Sequence, residues 1–277
     1  MTLNFITWDV DPEIFRVGIF SVRWYGALFA IAFVLGYLIT KKIFSREGIS
    51  VKTLDRLTWY MVFGTLMGAR LGHCLFYEPR YYFEHPAEIV QIWQGGLASH
   101  GAGLGILVAL YIFSRVERLP YLWILDRLTI VVALSGFFIR MGNLMNSEIF
   151  GHPTGLPWGF AFVRSPEWYH PPLDALPCHP TQLYEALSYL AIFAWLFMIY
   201  FKKAEKPYSG VLLGKFLTSL FTVRFFIEFL KENQVDFENG MLLNMGQLLS
   251  IPFIICGIYL LVRPKKNSSG SLSLYRE

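Results

Sequence analysis

Four polar side chains crowd into the stretch Arg140-Met-Gly-Asn143-Leu-Met-Asn146-Ser-Glu148-Ile-Phe-Gly151, directly after the apolar run 128–139. A permanently charged, forked guanidinium beside two amides and a carboxylate is a set that can grip phosphate oxygens and orient what it holds. Two further stretches offer related chemistry. Arg224-Phe-Phe-Ile-Glu228 carries opposite charges at i,i+4 spacing, which places both on one helical face. An anion site and an internal ion pair would each account for that spacing. Gly95-Gly-Leu-Ala-Ser-His100-Gly sets a histidine, which titrates near neutrality and can move a proton, among glycines. A hydrogen-bonded structural histidine is the plainer alternative, and close helix packing would explain the glycines of Gly101-x-Gly-x-Gly105. No strand precedes that run, so it is not a nucleotide loop. In His179-Pro-Thr-Gln-Leu-Tyr-Glu185, Pro180 suits a first helical turn, with Thr181 or His179 as cap. Cys178 and His179 are neighbours in a loop and are not read as a nucleophile and its base.

What must position these groups follows from composition. Of 277 residues, 55% are hydrophobic and only 16% charged, with a mean hydropathy of +0.44. Soluble domains carry about 25% charged residues, so the chain reads as a polytopic membrane protein. The net charge of +4 says little alone, and no basic stripe with interleaved exposed aromatics points to nucleic acid. Cys74, Cys178 and Cys256 are scattered, with neither metal-ligand spacing nor a disulfide framework. The acidic Asp9, Asp11 and Glu13 precede the first basic residue, Arg16, and no cleaved signal is expected.

Seven segments approach the roughly 20 apolar residues that a spanning helix needs: 17–40, 57–77, 96–114, 121–139, 183–201, 210–230 and 241–262. The expected fold is an all-α integral membrane protein, a bundle of seven transmembrane helices, because only helices satisfy their own backbone in lipid at that length. Lys and Arg concentrate in 41–56, 115–120, 202–209 and the C-terminal tail, whereas 78–95 holds only Arg80 and 231–240 only Lys231. The positive-inside rule then puts the N-terminus outside and the C-terminus in the cytoplasm. Residues 1–264 form one membrane domain with a long extracytoplasmic loop at 140–182, and 265–277 read as a disordered tail. The segment 1–16 reads as an interfacial stretch.

Ionisable groups within spans are rare because insertion penalises each by about 2.5–3.5 kcal/mol. Arg56, Asp126, Arg127 and Lys215 lie near the cytoplasmic face and have structural or headgroup-reaching explanations. The others converge on one side. The predicted directions of the spans bring Arg23, Tyr25, Arg70, His73, His100, Arg140, Arg224 and Glu228 to a single extracytoplasmic layer. A transporter would instead carry polar groups to the midplane, with repeated, interrupted spans. A lipid-binding scaffold would keep the arginines without needing His100.

Taken in order, these motifs, together with Arg23-Trp-Tyr25-Gly and Met245-Gly-Gln-Leu-Leu-Ser-Ile-Pro252, resemble the bacterial prolipoprotein diacylglyceryl transferases over nearly the whole chain. The resemblance implies a multi-pass enzyme of the bacterial inner membrane, periplasmic at its N-terminus and in its active layer. It would move the diacylglyceryl group of phosphatidylglycerol to the lipobox cysteine of prolipoproteins, leaving a thioether and glycerol 1-phosphate. It singles out Tyr25, His100, Arg140, Asn143, Glu148, Gly151, Arg224 and Glu228. One departure stands out: family members often carry a tyrosine four residues before the second arginine, where this chain has Leu220. Any phenol needed there must come from elsewhere, with Tyr25 as a candidate.

In the implied reaction the nucleophile belongs to the protein substrate, and neither metal nor other cofactor is expected. His100 would be the general base for the thiol. Arg140 and Arg224 would hold the phosphate, while Asn143 and Glu148 orient Arg140 or the glycerol hydroxyls. Tyr25 would donate to an ester or phosphate oxygen. Gly151 and Glu228 complete the expected lipid site.

Overall fold

The computed structural model describes residues 5–18, 20–92, 95–165, 176–202, 209–231 and 240–263. The expected tail at 265–277 lies outside them. The chain is mostly helical, with α1 (Trp24–Glu47), α2 (Val51–Phe76), the short α3 (Pro79–Glu84), α4 (Ser99–Val116), α5 (Tyr121–Met145), α6 (Thr181–Lys202), α7 (Val211–Ile227) and α8 (Met245–Val262). Four of these, α1, α5, α6 and α8, are long and apolar enough to cross a membrane. The architecture is that of an integral membrane protein. Among the others, α2 carries the charges Lys52, Asp55, Arg56 and Arg70, and α4 and α7 are shorter. Side chains start two of the helices: Ser50 accepts from the Thr53 N–H (3.2 Å), and Asn244 and Gln247 form a reciprocal capping box on α8.

Two features depart from an all-helical reading. The first expected span begins at residue 17, but α1 starts only at Trp24. The chain before it forms an antiparallel hairpin, β2 (Glu13–Val17) with β3 (Phe20–Arg23), after the strand β1 (Ile6–Trp8). Gly18, at φ +60, supports that turn. Arg23 therefore sits exposed on a strand opposite Glu13, not inside a span. Within the hairpin, hydrogen bonds from Arg16 and then Ser21 hold the Glu13 carboxyl down at about 2. The second departure is the loop expected from residue 140. Helix α5 runs through Arg140 to Met145, and the loop contributes β4 (Phe160–Phe162) and β5 (Pro177–Cys178), which join β1 in a three-stranded sheet of order β1-β4-β5.

The chain divides into two compact units, 39–125 and 1–38 with 126–266. In the first, α2 and α4 meet backbone to backbone. A Cβ on Gly68 or Gly101 would fall well under 3 Å from the facing backbone carbonyl, whereas Gly103 faces open space. The glycine run is thus a packing surface. Gly101→Ala is expected to lower the thermal unfolding midpoint of the detergent-solubilised protein, overpacking costing about 1–3 kcal/mol. Gly103→Ala should not lower it, and equal losses at both positions would refute the packing assignment.

Arg70, expected in the anion-binding layer, is instead buried and fully committed. It donates to the carbonyls of Ile89 (2.9 Å), Glu88 (2.6 Å) and Gly95 (2.6 Å), with its guanidinium over the Tyr82 ring. His73 stacks on Tyr77 and packs against Gly96. Both residues fasten the 77–98 connection to α2. Arg56 pairs with Glu117 at 2.8 Å.

In the second unit, Asp126 is buried and accepts from the Gly210 and Leu213 N–H groups (2.6 and 2.8 Å), supplying the N-terminal cap that α7 lacks in its own sequence. Arg127 is buried against Tyr200, and Lys215 lies over Trp195, so the membrane-edge charges assigned structural roles have them. A small core of Leu144, Phe150, Phe160, Phe162 and Cys178, with Trp8 packed on it, joins the sheet to the end of α5. Cys178 is part of that core.

Candidate active site

The site grows from the way α5 ends. Its last carbonyls are closed by a Schellman pattern: Glu148 N–H donates to Asn143 O (3.1 Å) and Ser147 N–H to Leu144 O (3.0 Å). Such a cap needs a left-handed residue, and Ser147 takes that position at φ +54 without being glycine. Ile149 follows at φ +62, where a β-branched residue is strained. The turn is held from outside: Trp8 donates its indole N–H to Leu144 O (3.0 Å), Gln182 donates to Glu148 O (2.8 Å), and Thr181 to Ile149 O (3.1 Å). The start of α6 thereby clamps the end of α5.

This reversal brings Glu148 back along the helix it leaves. Arg140 Nη1 donates to Asn143 Oδ1 (3.0 Å), and Asn143 Nδ2 donates to Glu148 Oε1 (2.8 Å), which also accepts from Asn146 Nδ2 (3.2 Å). The amide of Asn143 thus relays between a cation and a carboxylate, each end fixing the other. Tyr25 packs its ring on Gly142, where a Cβ would lie 2.7 Å from Cδ2, and has Glu148 and Arg140 as electrostatic neighbours.

A second ring of charge backs the first. Arg140 Nε lies 2.8 Å from Glu185 Oε2, and Glu185 is wholly buried. Its other oxygen accepts from Lys231 Nζ (3.2 Å) and from the Tyr189 hydroxyl (3.3 Å). Lys231 also donates to Glu228 Oε2 (3.3 Å). Glu228 starts a short 3₁₀ turn (Glu228–Leu230) after α7 and packs its carboxylate on Gly246, in the first turn of α8, where the helix dipole favours an anion. Arg224 is half-buried one turn earlier, is an electrostatic neighbour of Tyr189, and has no hydrogen-bond or ion-pair partner among the described residues.

Of the eight residues singled out from the sequence, the structure joins Tyr25, Arg140, Asn143, Glu148 and Glu228 in this network, with Arg224 beside it. Gly151 shapes its edge: its N–H donates to His179 O (2.9 Å), and the Leu230 carbonyl passes where a side chain would be. His179, held below the usual histidine range by burial and by His152, stays neutral at neutral pH and adds no charge to that edge. His100 belongs to the other unit, exposed in the first turn of α4. The Arg224–Glu228 ion pair admitted by the i,i+4 spacing does not form, because Glu228 turns to Lys231. Three contributors escape sequence reasoning. Lys231 counts there only as a loop charge, and Tyr189 lies within an apolar run. Glu185 reads as part of a capped helix start, and its charged partners, Arg140 and Lys231, are distant in sequence. Leu220 is half-buried on α7, and the phenol found between the arginines is that of Tyr189.

The chemistry on offer is that of an anion site: a guanidinium without a partner among the described residues, a second one fixed by a carboxylate and an amide, and a phenol between them. Comparison with known proteins narrows the class. The family model for prolipoprotein diacylglyceryl transferase matches residues 12–263, and the chain belongs to that family of transferases. A phosphatidylglycerol–prolipoprotein diacylglyceryl transferase of Porphyromonas gingivalis is 50% identical, over 96% of this chain and 98% of its own. Proteins of the same description from Tolumonas auensis and Cereibacter sphaeroides are 47% and 31% identical, covering 95% and 94% of this chain and 98% of each relative.

Proposed function

We propose that this protein transfers the diacylglyceryl group of phosphatidylglycerol to the lipobox cysteine thiol of prolipoproteins, at the periplasmic side of a bacterial inner membrane. The observation that carries the reading is a family match over almost the whole chain to relatives described by that reaction. The site supports it, since a phosphodiester headgroup at membrane depth needs permanent cations. In this reading all seven long helices cross the bilayer, with the N-terminus outside.

The step is a displacement at carbon. The cysteine sulfur attacks the glycerol carbon that bears the phosphate oxygen, the C–S bond forms as the C–O bond breaks, and the electron pair leaves on the oxygen of glycerol 1-phosphate. Arg224 takes the phosphate oxygens, being the guanidinium without a partner among the described residues. Arg140, held by Glu185 and Asn143, presents its remaining N–H groups to the charge that develops on the leaving oxygen, a preorganised arrangement that needs no reorientation during reaction. Asn143 and Glu148 keep Arg140 in place, Tyr25 donates to an ester or phosphate oxygen, and a general base, the role that the family resemblance implies for His100, receives the thiol proton.

Purified protein given phosphatidylglycerol and a peptide with a lipobox cysteine is expected to produce a mobility shift and the mass of one diacylglyceryl group, with stoichiometric glycerol 1-phosphate. A Cys→Ser peptide should stay unmodified. No product with phosphatidylglycerol, or equal product with phosphatidylcholine, would overturn the donor assignment.

A further inference from the structure

Lys231 and its partner Glu228 are buried charges in the network that the proposed reaction leaves without a task. The Lys231 ammonium is 2% exposed and sits between Glu185 (3.2 Å) and Glu228 (3.3 Å). The Lys231 backbone is held by an antiparallel bridge to Gly151, and the adjacent His152 N–H donates to Leu230 O at 2.8 Å. This lysine is therefore placed by the same turn that carries Asn143 and Glu148.

We infer that Lys231 is a positioning residue that keeps Arg224 open for the substrate's anionic group by occupying Glu228. The argument begins with what α7 would do alone. Arg224 and Glu228 stand at i,i+4, the spacing at which opposite charges on a helix pair, and a buried carboxylate without a cation will take any that is in reach. Two features of this chain prevent it. The helix changes to a 3₁₀ turn at Glu228, and Lys231, three residues on, returns to meet the carboxylate from the other side. The groups facing Glu228 are then Lys231 and the first turn of α8 at Gly246, with Arg140 as a further electrostatic neighbour, and Arg224 is left unpaired among the described residues. The second contact of Lys231 acts in the same direction: it neutralises one oxygen of Glu185 while Arg140 holds the other, so Arg140 is oriented without being the only cation on that carboxylate.

The inference rests on the transferase reading, and the two can fail separately. The test uses the full-length protein reconstituted with phosphatidylglycerol and the lipobox peptide. Lys231→Met is expected to raise the KM for phosphatidylglycerol by about 10- to 100-fold, the range of a charge-assisted hydrogen bond lost from an anion, as Glu228 captures Arg224. Adding Glu228→Gln should release Arg224 again, because a neutral amide does not hold the guanidinium. A purely structural lysine also predicts recovery of folding in the double variant, since neutralising Glu228 removes the carboxylate left without a cation, so the state of Arg224 itself must be read. Labelling of Arg224 by phenylglyoxal, read by mass spectrometry, supplies a readout independent of catalysis. It should fall in Lys231→Met and return in the double variant. Should Lys231→Met fail to fold, the double variant alone is read, and Arg224 labelling there far below that of the unaltered protein overturns the inference. An unchanged KM in Lys231→Met, or no recovery of labelling on adding Glu228→Gln, overturns it as well. Absence of transfer by the unaltered protein overturns the transferase reading instead, and the labelling comparison then still decides whether Lys231 frees Arg224.

Discussion

Arg140→Ala is expected to reduce kcat/KM for diacylglyceryl transfer by at least about 10³-fold while the protein still inserts in the membrane. Two losses combine. One is the donor aimed at the leaving oxygen, and removing such a group costs about 10²–10³ in rate in comparable sites. The other is internal. Arg140 Nε stands 2.8 Å from the fully buried Glu185, and Nη1 holds Asn143 at 3.0 Å. Breaking a buried pair from one side costs about 3–5 kcal/mol because the surviving charge stays uncompensated. Glu185 would keep Lys231, which limits the damage to the fold, but Asn143 would lose the partner that fixes its amide toward Glu148. Arg140→Lys should not restore the rate, since an ammonium cannot reach a carboxylate and an amide in the fork geometry at once. Steady-state rates on equal amounts of folded protein decide the matter. Ordinary transfer by Arg140→Ala would remove this arginine from the reaction.

Gly151→Ala should be nearly as damaging, although the added methyl group carries no charge. A Cβ there would lie well under 3 Å from Leu230 O, 2.8 Å from Thr181 Cγ2 and 3.0 Å from His179 Cβ, so it is closed in on three sides. The element able to move is the Leu230–Lys231 backbone, and moving it breaks the His152 N–H bond to Leu230 O and draws Lys231 away from Glu185 and Glu228. Misplacement by about 1 Å is enough to cost about 100-fold in rate. The control lies in the same loop: Gly155 has open space where its Cβ would be, and Gly155→Ala should retain activity. Similar rates for the two variants would show that the close approach at Gly151 does not matter for turnover.

Both expectations depend on features with very different visibility in the sequence. The residue types at Arg140, Asn143, Glu148 and Gly151 are conspicuous because polar groups after an apolar run need a reason, and that reason can be read without coordinates. The helical nature of the chain was equally legible, since long apolar runs leave the backbone little else to form in lipid. Less legible was the start of α1, where Phe20 and Val22 extend the apolar run backwards although Gly18 turns the chain into a hairpin. Apolar β-branched and aromatic residues suit a strand and a span alike, so hydropathy cannot separate them. Arg70 misled for a related reason. A buried arginine in a span signals function by default, and only coordinates reveal that three loop carbonyls absorb its donors.

By itself, then, the sequence determined the class of protein through its composition and the family through the motifs it shares with the transferases. It displayed Arg140, Asn143 and Glu148 as a polar cluster because their spacing is local. The tertiary structure alone decided which charge neutralises which. Arg224 and Glu228 are neighbours at helical spacing, yet Glu228 belongs to Lys231, Arg140 belongs to Glu185 on another helix, and Arg224 has no partner among the described residues. Pairing energies fall off steeply with distance and rise with burial. They are therefore set by which distant segments the fold brings within a few ångströms, and spacing along the chain carries no record of that.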